Sequence, residues 1–300
     1  MKELAVISGK GGTGKTSLTA AFASLADSHL LCDTDVDAAD LHLLLDPEIV
    51  ETHNFIGGSK AAIIAEDCSG CGLCAELCRF SAISEDFVVD PIECEGCGVC
   101  HAFCPEQAVD FQPRKCGEWF SSMTRFGPLV HARLGIGEEN SGKLVSLIRK
   151  QAQILAERRG LELIVTDGPP GIGCPVIASI TGATALLIVV EPTVSGLHDM
   201  RRVAELAHHF KIPAMVCINK YDLNEEMSSV IEGEIEKGKL MTVGRIPFDP
   251  AFTRAMVEGK TIIEYDPSAK LADTVSSLWR TIRSSEFLTK QEAKILPIMK

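Results

Sequence analysis

Eight cysteines between positions 68 and 104 form two runs, Cys68-x2-Cys71-x2-Cys74-x3-Cys78 and Cys94-x2-Cys97-x2-Cys100-x3-Cys104-Pro105. The second run repeats the first at an offset of 26 residues, and Asp67/Glu93, Gly70/Gly96, Gly72/Gly98 and Ala82/Ala108 correspond at the same offset. Thiolates are soft ligands that suit zinc or iron–sulfur centres. Three close cysteines closed by a remote fourth hold a cubane, and the fourth cysteine of each run serves the other cluster. The spacing therefore predicts one [4Fe–4S] cluster on Cys68, Cys71, Cys74 and Cys104. It predicts a second on Cys94, Cys97, Cys100 and Cys78. The glycines let the backbone wrap closely and aim N–H groups at sulfide. Structural zinc uses cysteine pairs with longer spacers, which two triplets fit poorly. Disulfides belong to oxidising compartments. Arg79 stands where the second run has Pro105, and a cation beside one cluster would set the two potentials apart.

A second chemical motif lies near the N-terminus. Gly9-Lys10-Gly11-Gly12-Thr13-Gly14-Lys15-Thr16 fits G-x4-G-K-[ST] in full. It follows an apolar strand pattern at 4–7 and precedes a helix pattern from about Ser17 to Ala26, the context in which such a loop cradles phosphates. The amides of Gly11, Gly12, Thr13 and Gly14, with Thr16 and Ser17 at the helix start, are the candidate phosphate contacts. Lys15 is expected on the β- and γ-phosphates and Thr16 on Mg2+. A strand at 29–32 ends in Asp33-Thr34-Asp35-Val36-Asp37-Ala38-Ala39-Asp40, at the sheet edge where ligands bind in α/β folds. Some of these acids can instead cap or charge a helix N-terminus.

The early lysine gives the loop the form K-G-G-T-G-K-T, which resembles the deviant Walker A of the MinD/ParA/Mrp family and of the nitrogenase iron protein. That resemblance implies that Lys10 reaches the nucleotide of the opposing subunit in an ATP-sandwich homodimer. It implies that Asp35 orients the attacking water, with Asp33, Asp37 or Asp40 assisting Mg2+ through water. A strand pattern at 161–166 runs into Asp167-Gly168-Pro169-Pro170-Gly171, similar to the family's Walker B. There Asp167 would hold Mg2+ through water, and Gly168 or Gly171 would approach the γ-phosphate. Asn219-Lys220-Tyr221-Asp222 resembles the family's purine-reading turn, so Asn219 and Asp222 are candidate base contacts, and Pro247-Phe248-Asp249 resembles the loop that closes over the base. Cys174 lies as far beyond Asp167 as a cluster ligand of the nitrogenase iron protein lies beyond its Walker B acid. The partner ligand of that protein follows a G-V-G segment. Here Gly135-Ile136-Gly137 leads to Glu138, so Cys174 is only a possible extra ligand.

These sites must be carried by a large scaffold. The chain has 300 residues, 46% hydrophobic, with formal net charge −12, a composition suited to packed cores and not to disorder. Strand and helix patterns alternate, stop near residue 55 and resume after about 115. This predicts a doubly wound, mostly parallel α/β sheet (residues 1–60 and 116–290), a small inserted ferredoxin-like α+β domain (61–115) and a tail (291–300). The resemblance specifies a P-loop ATPase of the MinD superfamily with an inserted ferredoxin domain. Residues 61–115 hold 10 Asp/Glu and 3 Lys/Arg, so most of the negative charge is local to the insert. A pI near 5.2 argues against nucleic acid as a partner. No apolar run approaches a membrane span, the N-terminal stretch is too short for a signal peptide, and the C-terminal basic patch is too weak for an anchor. The expected location is the cytoplasm.

The expected function is ATP binding and hydrolysis with Mg2+, gating electron transfer through two [4Fe–4S] clusters to a redox partner protein. The Mrp branch implies an alternative, an iron–sulfur assembly scaffold or carrier. Cys32 and Cys217 read as small buried hydrophobes. Cys116 has no assignment. Residues 134–143 form a polar, Gly-rich run ahead of a helix, in which Asn140 or Ser141 can cap that helix or the run can sense nucleotide.

Overall fold

A computed structural model describes residues 1–135 and 141–289; the expectations for Asn140 and its neighbours and for the tail fall outside them. In chain order the elements begin β1 (Lys2–Ser8), α1 (Lys15–Leu25), β2 (His29–Asp33), α2 (Leu41–Leu45), β3 (Glu48–Ser59) and β4 (Ala62–Ile63). Next come α3 (Leu73–Leu77), α4 (Val99–Ala102), β5 (Val109–Asp110), β6 (Pro113–Thr124), β7 (Gly127–Leu134) and α5 (Ser141–Arg159). Then follow β8 (Leu163–Pro170), α6 (Cys174–Ile180), β9 (Ala185–Val190), α7 (Val194–His209) and β10 (Ala214–Asn219). The chain continues through α8 (Glu225–Lys237), β11 (Met241–Ile246), α9 (Ala251–Val257), α10 (Ile262–Tyr265), α11 (Lys270–Ser284) and α12 (Glu286–Thr289).

A nine-stranded sheet runs in the order β11-β10-β9-β1-β8-β2-β7-β6-β3. Every neighbouring pair from β11 to β7 is parallel, and β7–β6 and β6–β3 are antiparallel. The parallel strands read as unbroken apolar runs because helices cover both faces. In β1, Leu4 and Val6 enter one core with Phe22 of α1 and Trp279 of α11, while Ala5 and Ile7 enter another with α6, α7 and α8. Phe22 and Trp279 stack with ring centroids 5.0 Å apart, fixing α11 onto α1.

The antiparallel strands were not expected. β3 is an edge strand exposed along most of its length, so its sequence carries little of the apolar pattern that marks buried strands. The β3–β6 ladder ends at Ser59–Pro113, so residues 60–112 lie beyond it and 113–115 pair within the sheet. Within that stretch β4 pairs antiparallel with β5. α3 and α4 each start after a glycine at nearly the same backbone angles, Gly72 (φ 78°, ψ −7°) and Gly98 (φ 72°, ψ 3°). The sequence repeat is thus a structural repeat.

Cys32, Cys116 and Cys217 are buried. Cys116, unassigned from sequence, packs in the core between the sheet and α5.

Candidate nucleotide site and cysteine cavities

The loop between β1 and α1 sits at the C-terminal ends of the parallel strands, where the helix N-terminus adds positive potential. One cavity is lined by Ser8, Gly11 to Ser17, Asp35, Asp40, Asn219, Lys220, Pro247 to Asp249 and the α9 face bearing Met256. Of the residues proposed from sequence, Gly11, Gly12, Thr13, Gly14, Lys15, Thr16, Ser17, Asp35 and Asn219 share this cavity. Gly14 has φ +86°, and a Cβ there would lie 2.5 Å from Asn219 Nδ2. The glycine is needed both for the backbone turn and for this close approach. Thr13 Oγ1 is buried without a hydrogen-bond partner, a donor left for a ligand.

Lys15 is 6% exposed and Asp167 1%. Lys15 Nζ stands 3.1 Å from Asp167 Oδ1 and 3.6 Å from Asp35 Oδ2. Burial pulls the Lys15 pKa down, but Asp167, Asp35 and Asp33 outweigh it and leave the ammonium raised. Thr16 Oγ1 donates to Asp167 Oδ2 at 2.7 Å, and Thr19 Oγ1 donates to Oδ1 at 3.1 Å. Hydroxyl and carboxylate oxygens are the hard donors Mg2+ prefers, so this pair fits the ion. Burial lifts Asp35 to about 6, against the pull of Lys15. Asp33 is buried and is pushed well above the usual carboxylate range by burial and by Asp167. Its Oδ1 accepts from the Asp35 amide at 3.1 Å, which aims Asp35. Asp40 precedes α2 but makes no side-chain cap, and Asp37 is exposed.

Other expected residues lie outside the cavity. Lys10 points to Glu191, 3.3 Å from its carboxylate. Asp222 does not line the cavity; its Oδ1 accepts from the Phe248 amide at 2.6 Å and so anchors the loop that does. Asn219 donates to the Thr13 carbonyl at 2.8 Å. The Gly171 N–H is bonded to the Ser8 carbonyl at 2.9 Å. Sequence reading missed Thr19, Lys220 and Glu191. Thr19 was findable, because position i+4 from Lys15 faces the same way on α1. Lys220 bonds the Gly12 carbonyl at 3.0 Å and pairs with Glu191; nothing in local sequence marks that link.

The family model of the CobQ/CobB/MinD/ParA nucleotide binding domain matches residues 4–262. The chain belongs to this family. An uncharacterized protein of Methanocaldococcus jannaschii is 31% identical over 94% of this chain and 96% of its own length. A second from the same organism is 22% identical over 89% of this chain and 93% of its own length. Among solved structures, the cell division ATPase MinD of Pyrococcus furiosus aligns with TM-score 0.56 and 19% identity, covering 94% of this chain and 98% of that one. MinD of Pyrococcus horikoshii, solved with Mg-ADP, aligns with TM-score 0.59 and 18% identity over 94% and 96%. These likenesses give the MinD/ParA fold.

On this MinD/ParA scaffold the cysteine-rich stretch encloses two further cavities. One is lined by Cys68, Cys71, Cys74 and Cys104 with Ile63, Phe87 and Val109. The other is lined by Cys78, Cys94, Cys97 and Cys100 with Ala82, Val89 and Phe111. The two cavities match in lining, four cysteines with apolar side chains in each, as a structural duplication requires. Among the described residues no three His, Cys, Asp or Glu side chains converge tightly enough for a single ion. The donor set of each cavity, four thiols in an apolar lining, fits a cubane, whose irons each take one thiolate. Cys104 Sγ accepts from the Ala108 amide at 3.3 Å, a bond that stabilises a thiolate. Cys174 is exposed at the start of α6 and lines none of these cavities.

Proposed function

We propose that this family member binds and hydrolyses ATP with Mg2+, and that its nucleotide state gates electron transfer through two [4Fe–4S] clusters to a partner protein. The observation that carries the reading is the pair of cavities, each walled by three cysteines of one run and one of the other. Bound clusters would supply one-electron transfer. Cys68, Cys71, Cys74 and Cys104 would hold one, and Cys94, Cys97, Cys100 and Cys78 would hold the other.

At the nucleotide, Lys15 and the loop amides neutralise phosphate charge, and Thr16 and Asp167 serve Mg2+. Asp35, poised at about 6, accepts a proton from water near neutral pH. Lys10 acts across a homodimer formed in the ATP state, after leaving Glu191. Asn219 serves the base side, with Asp222 holding the neighbouring loop. The expected setting is the cytoplasm, with neither nucleic acid nor membrane as a partner. Among the described residues no helix is long and apolar enough to cross a membrane. The acidic insert favours a redox partner with a basic face.

Anaerobic purification with iron and sulfide analysis, then reductive titration with ADP and with a non-hydrolysable ATP analogue, tests the reading. About eight iron per chain and a nucleotide-dependent change in potential or partner affinity are expected. Identical behaviour with both nucleotides would overturn the gating.

The exposure of Cys174 supports a second reading, a cluster scaffold or carrier in which this thiol from each subunit binds a transferable cluster. Transfer to an apo-acceptor that is lost in Cys174→Ala and kept in Cys71→Ala would favour it.

A further inference from the structure

The end of β8 is fastened to α6, and α6 to α5. The Asp167 carbonyl accepts from the Thr34 N–H and hydroxyl, each at 2.8 Å. The Ser179 hydroxyl of α6 donates to the Thr34 hydroxyl at 2.9 Å. Arg149 of α5 donates to the Ala178 and Thr181 carbonyls at 2.8 and 2.7 Å, and its fork is held by Glu3 at 2.7 Å. At the other end of the pair, a Cβ on Gly142 would lie 3.5 Å from Cys174 Cβ, so the two helix starts are in contact. α6 therefore links the end of β8 to the first turn of α5.

The next residue on that turn is Lys143. It is exposed and lines a cleft whose other wall is Cys94, Glu95 and Gly96. The other cations of the cleft, Lys60 and Arg114, flank the insert where the β3–β6 ladder ends. Lys143 is the cation there that rides on the nucleotide-binding body. The cavities that include Cys68 are lined by no residue beyond Arg114.

We infer that nucleotide exchange at the β8 end is carried through α6 to α5, and that Lys143 is the positioning residue through which it tunes the cluster held by the Cys94 quartet, leaving the Cys68 quartet unaffected. The inference rests on the functional reading above. A cation approaching a thiolate-ligated centre favours the reduced, more negative state, and the effect falls with distance.

The test is EPR-monitored reductive titration of the iron-loaded protein with ADP and with a non-hydrolysable ATP analogue. The expected nucleotide-dependent shift is confined to one centre, the one removed by Cys97→Ala. It is lost in Lys143→Gln and kept in Lys143→Arg. Retention of the shift in Lys143→Gln, or its appearance on the other centre, overturns this inference alone. Absence of any shift in the unaltered chain overturns the gating reading as well. In the iron-free chain, labelling of Lys143 by an amine reagent, read by mass spectrometry, should differ between the two nucleotides; equal labelling counts against the proposal.

Discussion

Thr16 donates its hydroxyl to Asp167 across 2.7 Å, so the two oxygens proposed for Mg2+ already face each other. Thr16→Ala should weaken nucleotide binding by about tenfold with Mg2+ present, the value of one charge-assisted hydrogen bond, and have less effect without it. Thr16→Ser should restore it. Calorimetric titration with and without the metal measures this, and equal losses in both conditions would remove Thr16 from the metal site.

Asp167 matters for folding as well as for the ligand. It accepts from Lys15, Thr16 and Thr19 while 1% exposed. Asp167→Ala leaves the buried Lys15 ammonium with the Asp35 carboxylate 3.6 Å away as its remaining ion-pair partner, which costs about 1–3 kcal/mol. Urea denaturation should show that loss, and a double variant with Lys15→Met should recover much of it. A double variant as unstable as the single one would refute the account.

Asp35 gives a pH dependence with a definite sign. Its folded pKa of about 6 lies above the ordinary aspartate value of 3.8, so the folded state holds the proton more tightly. The Asp35 contribution to stability is thus full below pH 4 and is lost as pH rises to about 6. Asp35→Asn should therefore gain stability relative to the parent across that window, by up to about 3 kcal/mol. Hydrolysis runs the other way, falling as pH drops through 6 because the base is protonated. Urea midpoints and hydrolysis rates between pH 4 and 8 measure both. A constant stability difference would contradict the assignment.

The cysteine quartets predict crossed losses. Cys78→Ala should damage the same centre as Cys97→Ala, and Cys104→Ala the same centre as Cys71→Ala. Each should leave about four iron in place of about eight. EPR spectra that pair by run, Cys78 with Cys71, would show that each run closes its own cluster.

Arg125 joins the β6–β7 turn to both flanks of the nucleotide cavity. Its fork meets Glu264 at 2.7 and 2.9 Å and donates to the carbonyls of Leu44, Leu45 and Gly259 at 2.9 to 3.3 Å. Arg125→Ala should cost about 1–3 kcal/mol through the unpaired carbonyls and speed amide exchange in α2 and α10. Lys cannot reproduce the planar fork, so Arg125→Lys should rescue little. Unchanged exchange in those helices would show that the turn is not their anchor.

The parallel strands, the phosphate loop and the duplicated cysteine runs were legible because each depends on local pattern. β1 and β2 are apolar runs bounded by turns, and their observed limits lie within two residues of those expected. β3 and β6 escaped because their pairing is long-range and β3 faces solvent on most positions. Within the site, Lys15 opens α1, Asp35 follows β2 and Asp167 lies in β8, and each was marked by its own motif. The Glu191 contacts were invisible because they join residues that only the β1–β9 and β9–β10 pairings bring together. The resemblance of its turn to a purine-reading one makes Asp222 a candidate base contact, and in the structure its Oδ1 accepts from the amide of Phe248.

The way each cavity draws three thiols from one repeat and the fourth from the other ties the two halves of the insert together. A single repeat carries four cysteines yet completes neither cavity by itself. Loss of Cys78 or Cys104 therefore opens the cavity built mainly by the other half, and neither half can be cut away without dismantling both. Arg79 and Pro105, where the halves differ, lie outside the two four-thiol sets.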